Sequence, residues 1–229
     1  MLLILLGCSS RPSNISIEKS FYKPDINEMT LEQKIAQMIM VRVSGNFYND
    51  EKNNKIKKLI QGQGVGGVIT FGGSIHGTFH NIKMFNSWSK IPLFVAADYE
   101  RGVGQWMSQA TNFPTNMAIA ATRSPAFAYS QGEITAKEAK ALGVNMVLGP
   151  VLDVNNNRRN PIINFRSYSE NQELVSDFGS QFIKGIQDAG LLSAAKHYPG
   201  HGNTEVDSHN GLAIIEADIS EVEDVHLYP

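Results

Sequence analysis

Leu191-Leu192-Ser193-Ala194-Ala195-Lys196-His197-Tyr198-Pro199-Gly200-His201-Gly202-Asn203-Thr204-Glu205-Val206-Asp207-Ser208-His209 is an apolar run that stops abruptly in a polar loop. The first five residues read as a buried strand. The next fourteen hold three histidines, two carboxylates, a lysine and two glycines. A strand that delivers ionisable side chains to the loop at its C-terminal end is the layout by which α/β proteins build functional sites.

The same layout repeats upstream. Residues 38–43, 65–71, 92–97 and 144–151 are nearly continuous apolar runs rather than alternating ones, as expected for parallel strands covered on both faces. Helical patterns separate them. Thr30 and Gln33 form a capping box for a first helix with Leu31, Ile35, Met38 and Ile39 as its apolar stripe. Further helices are predicted over residues 50–61 (stopped by Gly62), 76–90, 124–142 (stopped by Gly143) and 169–189 (stopped by Gly190), and another starts at Glu221. Polar residues collect after each strand: Gly72-Gly73, Asp98-Tyr99-Glu100-Arg101, Asp153 and Lys196-His197. A doubly wound sheet would concentrate them at one switch point, whereas a (β/α)8 barrel draws on every strand end, so the barrel is the predicted fold. Five strand–helix units are counted where such a barrel needs eight, and the expectation is a barrel truncated after about five units.

With 42% hydrophobic residues, 18% charged residues and a net charge of −2, the chain has no basic stripe to suit nucleic acid. Lys52, Lys55, Lys57 and Lys58 read as the solvated face of an amphipathic helix. The single cysteine, Cys8, excludes an internal disulfide. It follows Leu5-Leu6-Gly7 and opens a polar stretch, so residues 1–20 resemble the leader and tether of a bacterial lipoprotein, with residues 21–229 as the barrel part. That resemblance implies lipidation of Cys8, attachment to a membrane and a place in the cell envelope; without a signal the protein would be cytoplasmic. His76, His80, His201 and His226 lack metal-ligand spacing, and the pattern calls for no metal or other cofactor.

Lys196-His197-Tyr198-Pro199-Gly200-His201-Gly202 followed by Asp207-Ser208-His209 resembles the signature of family 3 glycoside hydrolases, in their β-N-acetylhexosaminidase branch. Met29 to Met38, Val65 to Ile69, Ala97 to Gly102, Leu148 to Val154 and Asn160 to Tyr168 resemble further family segments in the family order. The resemblance implies a retaining enzyme that removes terminal β-linked N-acetylglucosamine from cell-wall-type glycans. Its general acid/base would be His209 with Asp207, and its sugar contacts Asp98, Arg166, Lys196 and His197. A free imidazole titrates near ~6.5, which suits proton transfer at neutral pH, and a carboxylate two residues away can fix its tautomer. Asp98 suits two sugar hydroxyls as a bidentate acceptor, and the Arg166 fork suits hydroxyl and carbonyl oxygens. Gly200, Gly202 and Asn203 are expected to let the loop swing over the substrate.

Plainer readings exist for the same residues. Asp207-Ser208-His209 can be an ordinary capped turn, and Lys196 with His197 can pair internally with Asp98 or Asp153. Asp153 is expected to order its own loop and Arg158-Arg159 to be surface charge, while the pattern assigns no role to Arg101 or Trp106. The family nucleophile is an aspartate on a seventh strand. None of Asp177, Asp188, Asp218 or Asp224 ends an apolar strand run, so these 229 residues alone are expected to form no covalent glycosyl intermediate. A β-glucosidase or a phosphorolytic relative would share the fold; a binding lipoprotein without its catalytic half is the alternative from another class.

Overall fold

A computed structural model describes residues 23–229. Cys8 and the leader expectation lie outside the described residues. The five apolar runs form one sheet: β1 (Met40–Gly45), β2 (Gly67–Gly73), β3 (Phe94–Ala97), β4 (Met146–Val147) and β5 (Leu192–Ser193). All pairs are parallel, and the spatial order is the chain order. A doubly wound sheet reverses its strand order at a switch point; this one does not, so the barrel-type winding stands.

Register explains which face is buried. Val43, Thr70, Ala97 and Val147 lie in one row across four strands and are all buried. They face the helices α3 (Ile75–Trp88), α5 (Ala126–Ala141) and α6 (Gln172–Asp188), whose Ile82, Phe85, Phe178, Phe182 and Ile186 complete the core. The neighbouring row, Arg42, Ile69, Ala96, Met146 and Leu192, points the other way because successive strand side chains alternate. This is the concave inner face. Leu192 is 48% exposed and Phe94 47%. Helices α5 and α6 touch backbone to backbone: a Cβ on Gly132 would meet Phe182 O, and one on Gly185 would meet Tyr129 O.

Local sequence signals explain most boundaries. Thr30 and Gln33 close the expected capping box on α1 (Leu31–Gln37), and Asn49, Ser74 and Asn171 cap α2 (Asp50–Lys57), α3 and α6. Three expectations need correction. The stripe Leu31, Ile35, Met38 and Ile39 is exposed, and Ala36 is the buried residue of α1, because that helix precedes the edge strand instead of crossing the sheet. The second helix is not stopped by Gly62; it continues as a wider turn over Lys58–Gln63 and ends at Gly64, whose φ of +74° suits glycine. The fourth strand is far shorter than 144–151, since Pro150 has no N–H to offer the ladder. Pairing resumes beyond it, where Leu152 N donates to Lys196 O at 2.7 Å and Lys196 N to Pro150 O at 3.1 Å. An unforeseen short helix, α4 (Asn116–Ala121), precedes α5.

Candidate active site

Four of the nominated side chains meet at the C-terminal end of the sheet. Lys196 ends the fifth apolar run and extends Nζ to Asp98 Oδ1 at 2.6 Å, just past β3, and to Glu100 Oε1 at 2.8 Å. Arg166, on the turn Asn164–Arg166, grips the same Glu100 with two bonds, Nε to Oε2 at 3.0 Å and Nη2 to Oε1 at 2.8 Å. Glu100 is the buried centre of this cluster; its side chain is 7% exposed. Burial alone pushes its carboxyl up. The bonds from Arg166 and the charge of Lys196 outweigh that and hold it down to about 2. The cluster is braced from the helices behind it. Gln131 on α5 donates to Glu100 O at 2.9 Å, and Asn116 on α4 donates to Arg166 O at 2.8 Å.

His197 completes the group. It donates from Nδ1 to Asp153 Oδ2 at 2.6 Å, and its Nε2 lies 3.4 Å from Arg166 Nη2. A guanidinium only donates, so Nε2 is placed as an acceptor. Asp153 is fully buried and does more than order its own loop, because Oδ1 also accepts from His201 N at 2.5 Å. The internal pairings Lys196–Asp98 and His197–Asp153 are thus both present. They coexist with partial exposure of Asp98 and His197, which keeps those groups within reach of a ligand. A cavity of about 150 Å³ is lined among others by Asp153, Lys196, His197 and Gly200 together with His226 and Pro229; Asp98, Glu100 and Arg166 do not line it. A larger groove, about 350 Å³, lies at the opposite end of the sheet between α1 and the turn before β2, and holds none of the clustered groups. Chemistry favours the smaller one.

Asp207 and His209 form the expected pair on the loop after β5. His209 donates to Asp207 Oδ1 from its backbone N at 2.9 Å and from Nδ1 at 2.7 Å. Those bonds, the backbone one first, hold the Asp207 carboxyl below its usual range. The His209 side chain is 79% exposed and bonds within its own turn, not to the strand-end cluster. Gly202 is a point of close backbone contact. A Cβ there would sit 1.7 Å from Val154 O, a backbone atom that cannot yield. Gly202→Ala is expected to unseat the loop and lower stability by about 1–3 kcal/mol in urea unfolding; an unchanged midpoint would show that the contact is slack.

Sequence reasoning missed Glu100 as a member of the cluster. The available signal was its spacing: Asp98 and Glu100 are two apart around the buried Tyr99, so an extended segment puts both carboxylates on one side. Among the described residues, no three His, Cys, Asp or Glu side chains converge so as to hold a metal ion.

Fold and site together define a (β/α)-barrel-type scaffold with an ionised polar centre at its strand C-termini. Residues 30–229 match the family model "Glycosyl hydrolase family 3 N terminal domain", and the chain belongs to that family. It is 38% identical over 188 residues to a β-hexosaminidase A of Pseudoalteromonas piscicida, an alignment covering 76% of this chain and 31% of the relative. It is 33% identical to a Cellulomonas fimi protein named β-N-acetylglucosaminidase/β-glucosidase, over 72% of this chain and 29% of that one. Among solved structures it resembles a family 3 β-N-acetylglucosaminidase from Paenibacillus sp. str. FPU-7, with a TM-score of 0.77 and 32% identity. That match covers 87% of this chain and 39% of the other. The chain therefore spans about a third of the length of these relatives, and its five strands correspond to part of their barrel domain.

Proposed function

We propose that the protein of which these units are part removes terminal β-linked N-acetylglucosamine from cell-wall-type glycans with retention of configuration. The observation that carries this is the pairing of His209 with Asp207 on the loop that leaves the Asp98–Lys196–Glu100–Arg166–His197 cluster. Asp98, Arg166, Lys196 and His197 would hold the sugar. His209 would protonate the glycosidic oxygen as it leaves, while Asp207 steadies the imidazole. An aspartate from polypeptide beyond Pro229 would attack the anomeric carbon. Water would then displace it, returning its proton to His209.

The test is release of a chromophore from an aryl N-acetyl-β-glucosaminide by the longest polypeptide the gene encodes. Preference over the matching β-glucoside is expected. Equal turnover would favour the second reading, suggested by the Cellulomonas fimi relative named for both activities. Dependence on inorganic phosphate would make the reaction phosphorolytic, and no release from either glycoside would sink the glycosidase reading in favour of carbohydrate binding alone.

Residues 1–20 are proposed as leader and tether and 21–229 as the barrel part, with a lipidated Cys8 holding the protein at the cell envelope. The support is Leu5-Leu6-Gly7-Cys8-Ser9-Ser10. Cys8→Ala should shift the protein from the membrane fraction to the soluble one; a wild type that is already soluble refutes the anchor.

A further inference from the structure

One histidine of the loop has a surrounding that neither its sequence nor the sugar-binding cluster accounts for. His201 is buried between the loops after β4 and β5. Its backbone is fixed on both sides, since its N donates to Asp153 Oδ1 at 2.5 Å and its O accepts from Asn160 Nδ2 at 2.7 Å. The ring is fixed as well. The Thr204 hydroxyl bonds Nδ1, and Nε2 lies 3.1 Å from Ser208 Oγ. The next residue, Gly202, abuts the Val154 backbone and blocks sliding.

Ser208 sits between Asp207 and His209. The turn it belongs to is closed on itself: Asn210 N and Gly211 N donate to Asp207 O at 2.9 and 3.2 Å, and His209 donates to Asp207 Oδ1. The bond from Ser208 to His201 ties that turn to the buried framework. Through Asp153, the framework also holds His197.

We infer that His201 is a positioning residue whose imidazole latches Ser208 and so fixes the Asp207–His209 pair relative to the strand-end cluster. The inference rests on reading that pair as the proton-transfer couple. Proton transfer requires hydrogen-bond reach, and a displacement of about 1 Å at such a group can cost a large factor in rate. An exposed turn of this kind would otherwise sample many placements. Asp153 thereby serves two purposes, with one oxygen orienting His197 and the other seating the latch.

Ser208→Ala and His201→Gln test this, with Ser208→Thr as the variant that keeps the hydroxyl. Hydrogen exchange at residues 209–211 should quicken by roughly three- to tenfold, the worth of one lost hydrogen bond, while residues 192–197 stay protected. For a glycoside with a poor leaving group kcat/KM should fall by a similar factor. For a dinitrophenyl glycoside, which needs no protonation to depart, it should hold, and Ser208→Thr should restore both readings. Unchanged exchange at 209–211, or equal losses on both glycosides, would overturn the latch. If the wild type cleaves neither glycoside, the glycosidase reading fails and the exchange result alone decides the latch.

Discussion

Glu100→Gln is expected to destabilise the folded protein by about 3–5 kcal/mol, the usual cost of leaving a buried charge without its partner. Two cations depend on this one carboxylate, with Lys196 Nζ at 2.8 Å and the Arg166 fork at 2.8 and 3.0 Å. A glutamine could accept one bond but would leave the Arg166 guanidinium without a carboxylate partner and Lys196 with Asp98 alone, in a largely dry site. The pH dependence gives the sharper signature. The carboxyl is held at about 2 when folded against 4.5 as a free group, so its contribution is fully present above 4.5 and fades as pH falls toward 2. A shift of that size corresponds to about 3 kcal/mol. Urea unfolding at several pH values should therefore show wild type losing stability through that acid window and Glu100→Gln losing less. Curves that stay parallel from neutral pH to pH 3 would place the stabilisation elsewhere.

How much of this was legible before the fold depended on the range of the interaction. The strands, the cap at Thr30 and the stops at Gly143 and Gly190 are set by neighbours a few residues away, and the sequence pattern carries them. Asp98 and Lys196 were readable because each directly follows an apolar run. Glu100 was not, because its role depends on Arg166, 66 residues later, and on the loop that turns it inward. For Asp153 the pattern offered both a local role and a pairing with His197, 44 residues on, but not the bond from His201, 48 residues on. The short helix α4 carried no periodic signal of its own. Its value lies in Asn116, which steadies the Arg166 carbonyl. The exposed stripe on α1 shows the opposite limit, since periodicity identifies an apolar face without saying what covers it.

His209→Ala is expected to act on rate and scarcely on stability. Its side chain is exposed and bonded within its own turn, so its loss should move the unfolding midpoint by no more than about 0.5 kcal/mol. If the imidazole protonates the leaving oxygen, kcat/KM for a glycoside with a poor leaving group should drop roughly 10²–10⁴-fold. A dinitrophenyl glycoside should be spared in that first step. Asp207→Ala should follow the same leaving-group pattern with a smaller loss, because the ring remains while its orientation and the stabilising anion go. The carboxylate stays ionised well below neutral pH, since the backbone N–H and ring of His209 both lower it, so this support does not fade near neutrality. The two sites thus separate experimentally: Glu100→Gln should cost stability above the acid window and converge on wild type within it, whereas His209→Ala should move turnover at constant stability. Wild-type turnover in His209→Ala would reduce Asp207-Ser208-His209 to a capped turn and return the search for the proton donor to the partly exposed His197 on its buried partner Asp153.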